Sequence, residues 1–163
     1  MNFTKTLAAT LLIGAGLMSA PAMAAGPFYG GLNIGQFKIN DCNGSCTGTG
    51  YKLSAGYQFN PSVAAEVSYA DSGKIEGVTA NAFGVAAVGT LPVGNKISLL
   101  GRVGLNNAKI KGDGGSESNT SLGFGVGAAY ALSPTVDLSL EFERFKFKEG
   151  SGNFVSAGAK MKF

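Results

Sequence analysis

The chain has 163 residues and a formal net charge of +3, with 26 Gly, 14% charged residues, no Trp and no His. The absence of His removes the usual general base of Ser and Cys hydrolases and the commonest neutral metal ligand, so no catalytic, metal or cofactor residues are expected. The charge is weak and dispersed, which excludes a basic stripe for nucleic acid, and the length suits one domain.

At the N-terminus, Lys5 precedes an apolar run from Leu7 to Leu17 that closes on Ala22-Met23-Ala24. This reads as a secretory signal peptide over residues 1–24, with the mature domain covering 25–163. The run is shorter than the ~20 residues a spanning helix needs. Export carries Cys42 and Cys46, in Asp41-Cys-Asn-Gly-Ser-Cys46, to an oxidising compartment, where a disulfide is the default and free thiols are the alternative. So short a loop would gain roughly 2 kcal/mol at most, enough to stiffen a loop tip and too little to hold a fold.

From Phe28 onward the side chains alternate in character with period two, and turn clusters interrupt them at regular intervals. Strands are predicted near 28–38, 50–60, 62–71, 80–91, 96–107, 119–131, 135–147 and 153–163. Short connections at Asn60-Pro61-Ser62, Pro92 to Asn95 and Ser133-Pro134 alternate with longer polar ones at 39–49, 72–79, 108–118 and 148–152. That asymmetry suits a closed, antiparallel, eight-stranded up-and-down transmembrane β-barrel, with tight periplasmic turns and four longer surface loops.

Each strand carries one apolar and one polar or small face. Tyr51, Leu53, Ala55, Tyr57 and Phe59 oppose Lys52, Ser54, Gly56 and Gln58, and Leu122, Phe124, Val126, Ala128 and Tyr130 oppose Gly123, Gly125, Gly127 and Ala129. Alternation alone also permits a soluble lipocalin-like carrier with the apolar faces inside. Strands of about ten residues, Tyr and Phe near strand ends, and the outward row Val155, Ala157, Ala159, Met161 and Phe163 favour lipid.

With the polar face inside, charges must pair, because unpaired burial is expensive. Counted from the short turns, Glu66, Arg102 and Glu141 should meet across the lumen. Lys52, Asp137, Glu143, Lys160 and Lys162 share the inward parity and complete a balanced salt-bridge network, for which the small residues of the fourth and sixth strands make room. Glu141 and Glu143, ~7 Å apart on one face, are read as partners of cations and not as an acid/base pair. Gly123-Phe-Gly-Val-Gly-Ala128 loosely matches a dinucleotide loop, but no helix pattern follows it.

The segments Gly56-Tyr-Gln-Phe-Asn-Pro-Ser-Val-Ala-Ala-Glu66-Val-Ser-Tyr69, Tyr130-Ala-Leu-Ser-Pro134-Thr-Val-Asp-Leu138 and Gly150 to Phe163 resemble the second hairpin, last periplasmic turn and closing strand of the small OmpA-type and opacity-type outer-membrane barrels. The resemblance implies an outer-membrane location, contact with lipid, and recognition of the last strand by the barrel-assembly machinery. It also implies a switchable salt-bridge gate built from Glu, Lys, Arg and Glu on strands three, four, five and seven. Glu66, Arg102 and Glu141 match three of these, whereas the lysine position falls on Val88. The expected role is therefore a structural or surface-interaction protein whose loops meet host, phage or matrix, with a plugged lumen. A small ion pore is the alternative, and a soluble carrier is the third reading.

Overall fold

The computed structural model describes residues 26–40, 46–75, 78–112, 115–147 and 150–163. The signal peptide assigned to residues 1–24 and Cys42 lie outside the described residues. Eight strands follow one another: β1 (Phe28–Ile39), β2 (Cys46–Asn60), β3 (Val63–Ile75), β4 (Val78–Pro92), β5 (Ile97–Gly112), β6 (Gly115–Ala131), β7 (Val136–Phe147) and β8 (Gly150–Lys162). Each pairs antiparallel with its neighbour, and β8 returns to β1 to close the barrel, so every strand has a partner on both sides.

The short turns carry their own capping chemistry. The Ser62 amide donates to Asn60 Oδ1 at 2.8 Å, and the Val136 amide donates to Ser133 Oγ at 3.0 Å, local bonds that Asn and Ser favour in turns. Lys162 N donates to Thr135 O at 2.8 Å and Phe163 N to Phe28 O at 2.9 Å, which ties the seam at this end.

The opposite end departs from expectation. The segments 39–49, 72–79, 108–118 and 148–152, read as loops, are strand over most of their described residues, since β2 begins at Cys46, β3 runs to Ile75, β5 reaches Gly112 and β6 starts at Gly115. Apolar alternation fades there, yet ladder pairing needs only backbone groups and continues through polar side chains. On the outer face Asn107 Nδ2 donates to Ser118 Oγ at 3.4 Å and Thr120 Oγ1 at 3.2 Å. In β3 a bulge interrupts the register between Asp71 and Lys74. Its Gly73 has φ +66°, its amide donates to Asp71 Oδ1 at 2.7 Å, and a Cβ there would lie 2.8 Å from Thr49 O.

Burial decides which face is inside. Lys52 is 2% exposed and Glu66 3%, while Leu140 is 68% exposed and Leu53, Val67, Val85, Val103, Leu105 and Val126 all stand on the outer surface. This excludes the soluble-carrier reading, which required the apolar faces to line the interior. The outer wall is apolar down to the short turns, at Phe59, Leu91, Val93 and Leu132, and becomes polar where the strands overhang at the other end. The asymmetry expected of loop length is thus an asymmetry of strand overhang.

Candidate functional site

The lumen is filled in three levels. Alternation turns Lys52 of β2, Glu66 of β3, Arg102 of β5, and Glu141 and Glu143 of β7 to one central layer. Arg102 Nη2 lies 2.7 Å from Glu66 Oε1 and 3.4 Å from Glu141 Oε2, and its Nη1 lies 3.6 Å from Glu143 Oε1. Lys52 Nζ lies 3.3 Å from Glu141 Oε2 and also pairs with Glu143. Neutral donors take remaining lone pairs: Tyr29 OH donates to Glu66 Oε2 at 2.9 Å, Ser139 Oγ to Glu141 Oε1 at 3.0 Å, and Asn33 Nδ2 to the same oxygen at 3.2 Å. Space for the carboxylates comes from β6, where a Cβ on Gly125 would lie 2.8 Å from Glu143 Cγ and one on Gly127 3.0 Å from Glu141 Cγ.

Below this layer the lumen opens at the short-turn end as a cavity of about 320 Å³ lined in part by Gln58, Ser98, Asp137, Lys160 and Lys162. Lys162 Nζ pairs with Asp137 Oδ2 at 2.9 Å, separately from the central layer. Lys160, expected among the paired charges, forms no ion pair among the described residues. Its Nζ stands 4.4 Å from the centroid of the Tyr29 ring, a cation–π contact that replaces a carboxylate partner. The central layer therefore holds three carboxylates against two cations, with a third cation one level down.

Above the layer, Phe37 of β1, Phe145 of β7 and Phe154 of β8 fill the lumen. Phe37 and Phe154 stack at 4.0 Å between centroids, Phe37 and Phe145 lie at 6.5 Å, and Phe154 is 0% exposed. Neither this aromatic level nor Tyr29, Asn33 and Ser139 was singled out from the sequence. The signal was present as inward parity on β1, in the run Tyr29, Gly31, Asn33, Gly35, Phe37. Val88, which occupies the lysine position of the implied gate, is 2% exposed and packs with Tyr29 and Ala64.

Outside the lumen, Val155, Ala157 and Ala159 form the outward row of β8, and Phe163 is exposed beside them. Cys46 is disulfide-bonded at the start of β2.

Comparison with known proteins agrees with this architecture. No curated protein matches the sequence. Among solved structures, neisserial surface protein A is 26% identical with a TM-score of 0.66, covering 86% of this chain and 100% of that one. The N-terminal β-barrel domain of Pseudomonas aeruginosa OprF is 17% identical at a TM-score of 0.69, with 85% and 99% covered. Ail, the attachment invasion locus protein of Yersinia pestis, solved in complex with the heparin analogue sucrose octasulfate, is 21% identical at a TM-score of 0.58, with 83% and 99% covered. An eight-stranded barrel with charges inside and an apolar wall outside is thus matched by sequence over residues 8–163, and the chain belongs to the outer membrane protein beta-barrel domain family.

Proposed function

We propose that this outer-membrane barrel is a non-conducting scaffold that carries its strand overhangs at the cell surface as interaction elements. The observation that carries the reading is the filled lumen: a buried five-residue ion layer is overlain by the stacked rings of Phe37 and Phe154. An ion crossing it would have to displace paired charges and dewetted aromatic rings in succession. The name of neisserial surface protein A, as a surface protein, supports display at the cell exterior. Host, phage or matrix ligands are the partners proposed for the overhangs, and the outward row of β8 with Phe163 is the element proposed for contact with the assembly machinery.

Planar bilayers holding the refolded barrel test the lumen. The expected result is silence in wild type, and in Glu66→Ala and Glu141→Ala variants because the aromatic level remains. Unitary conductance that changes with either substitution would instead establish the pore reading. Exchanging the overhanging hairpin ends while keeping the barrel should abolish surface binding by whole cells, and unchanged binding would contradict the display role.

A further inference from the structure

The cavity at the short-turn end of the lumen has a charged wall and an apolar one. Lys160 of β8 is half-buried on its lining, and among the described residues its Nζ makes neither an ion pair nor a hydrogen bond. It rests instead against the Tyr29 ring, 4.4 Å from the centroid. An ammonium has three N–H donors and a ring face cannot occupy them all, so donors remain for an acceptor that enters the cavity. Beside it, Lys162 is held by Asp137 at 2.9 Å. At the mouth Lys96 is exposed, 6.0 Å from the Tyr130 centroid, with no carboxylate partner among the described residues. The remaining lining is of another kind. Leu100 of β5 and Ala129 of β6 present apolar surface, and Thr90 and Ser98 carry hydroxyls that enter no side-chain hydrogen bond among the described residues. The volume of about 320 Å³ lies at the small end of ligand sites, which run from ~300 to ~1,000 Å³.

We infer that this cavity binds a small monocarboxylate with a short apolar body, its carboxylate on Lys160 and its body against Leu100 and Ala129. A charge-assisted bond to Lys160 uses donors that the protein leaves open, and an apolar body covers a wall on which water gains little. Charge balance sets the valence of the ligand. The central layer has one carboxylate more than its cations, Lys160 offsets that from one level down, and Lys162 cancels Asp137, so the described lumen is neutral. One added negative charge is matched by Lys96 at the mouth, whereas a second would stand uncompensated near Asp137. The site is separate from the overhangs and does not depend on the role proposed for them.

The full chain refolded in phosphatidylcholine nanodiscs and titrated with benzoate, benzamide, phthalate or inorganic phosphate tests this through its amide chemical shifts, with protein-free nanodiscs measuring uptake of each probe by lipid. Benzoate should give saturable shifts at Lys160, Ser98 and Ala129 with a Kd on the order of a millimolar, and the other three probes should bind about tenfold or more weakly. Lys160→Gln should weaken benzoate by about tenfold or more. Ala129→Phe, which fills the cavity from β6 and keeps the ammonium, should abolish binding, whereas Lys109→Gln on the outer face of β5 should leave it unchanged. Benzoate and benzamide share a ring, so equal binding of the two would reduce the effect to apolar partition and overturn the proposal. Benzoate binding undiminished by Lys160→Gln or by Ala129→Phe overturns it as well. Preference for phthalate or phosphate overturns it in favour of a site for multivalent anions, and the absence of saturable shifts with every probe leaves the cavity to water and overturns it outright.

Discussion

Arg102 touches Glu66, Glu141 and Glu143 at once, so removing it strands three carboxylates in the middle of the barrel with only Lys52 to balance them. Breaking a buried pair from one side costs ~3–5 kcal/mol, because the remaining charge is uncompensated. Arg102→Met should therefore destabilise the barrel by that order, and Lys52→Met by a similar amount, in urea unfolding from phospholipid vesicles. Lys160→Met should cost roughly 1 kcal/mol or less, the worth of a cation–π contact without an ion pair. Equal losses for Lys52 and Lys160 would show that net charge, and not contact geometry, holds the layer. Glu66, Arg102 and Glu141 were legible from the sequence because a long charged side chain on an inward position has few partners to choose from. Lys160 was placed on the correct face, but its exchange of a carboxylate for the Tyr29 ring depended on lumen depth, which parity does not encode. Phe37, Phe145 and Phe154 were hidden for another reason: aromatic residues near strand ends are ordinarily read as an outer girdle, and here all three point inward.

The strands themselves were read at the right number and order, and they were cut short at one end. Hydrophobic alternation reports lipid contact, whereas a strand persists as long as its backbone groups find partners. The pairs Asn107 with Thr120, Ala108 with Asn119 and Lys109 with Ser118 continue the β5–β6 ladder through residues that read as loop. The Asn107 amide bridges reinforce them from the outer face. Hydrogen exchange monitored by NMR in nanodiscs should show protected amides in this overhang, slower by roughly a hundredfold or more than an unstructured loop, since opening requires breaking cooperative ladder bonds. Loop-like exchange from Asn107 onward would restore the expected boundary at 107. Slow exchange would also favour the proposed display role, because a rigid hairpin end offers a pre-organised surface with little ordering entropy to lose on binding.

For the whole molecule, one pattern of alternation admits two opposite proteins, a soluble barrel with an apolar interior and a membrane barrel turned inside out. The sequence tips the choice only through strand length and aromatic placement, while burial decides it, with Lys52 enclosed and Leu140 standing out from the wall. The consequence is a depth-dependent tolerance for charge. Leu140 lies on β7 between Ala128 of β6 and Ala157 of β8, within the apolar belt. Leu140→Arg should cost ~2–4 kcal/mol in the free energy of folding into phosphatidylcholine vesicles, as charge near the bilayer midplane does. Thr120→Arg, on the outer face of the overhang, should cost ~0–1 kcal/mol by the same measurement, because its guanidinium meets water or headgroups. Leu140→Met controls for loss of shape and should stay close to wild type. If both arginine variants folded with equal ease, the outer surface would not be facing hydrocarbon. A gradient from Leu140 to Thr120 would locate the bilayer along the barrel axis and set its upper boundary between these two positions.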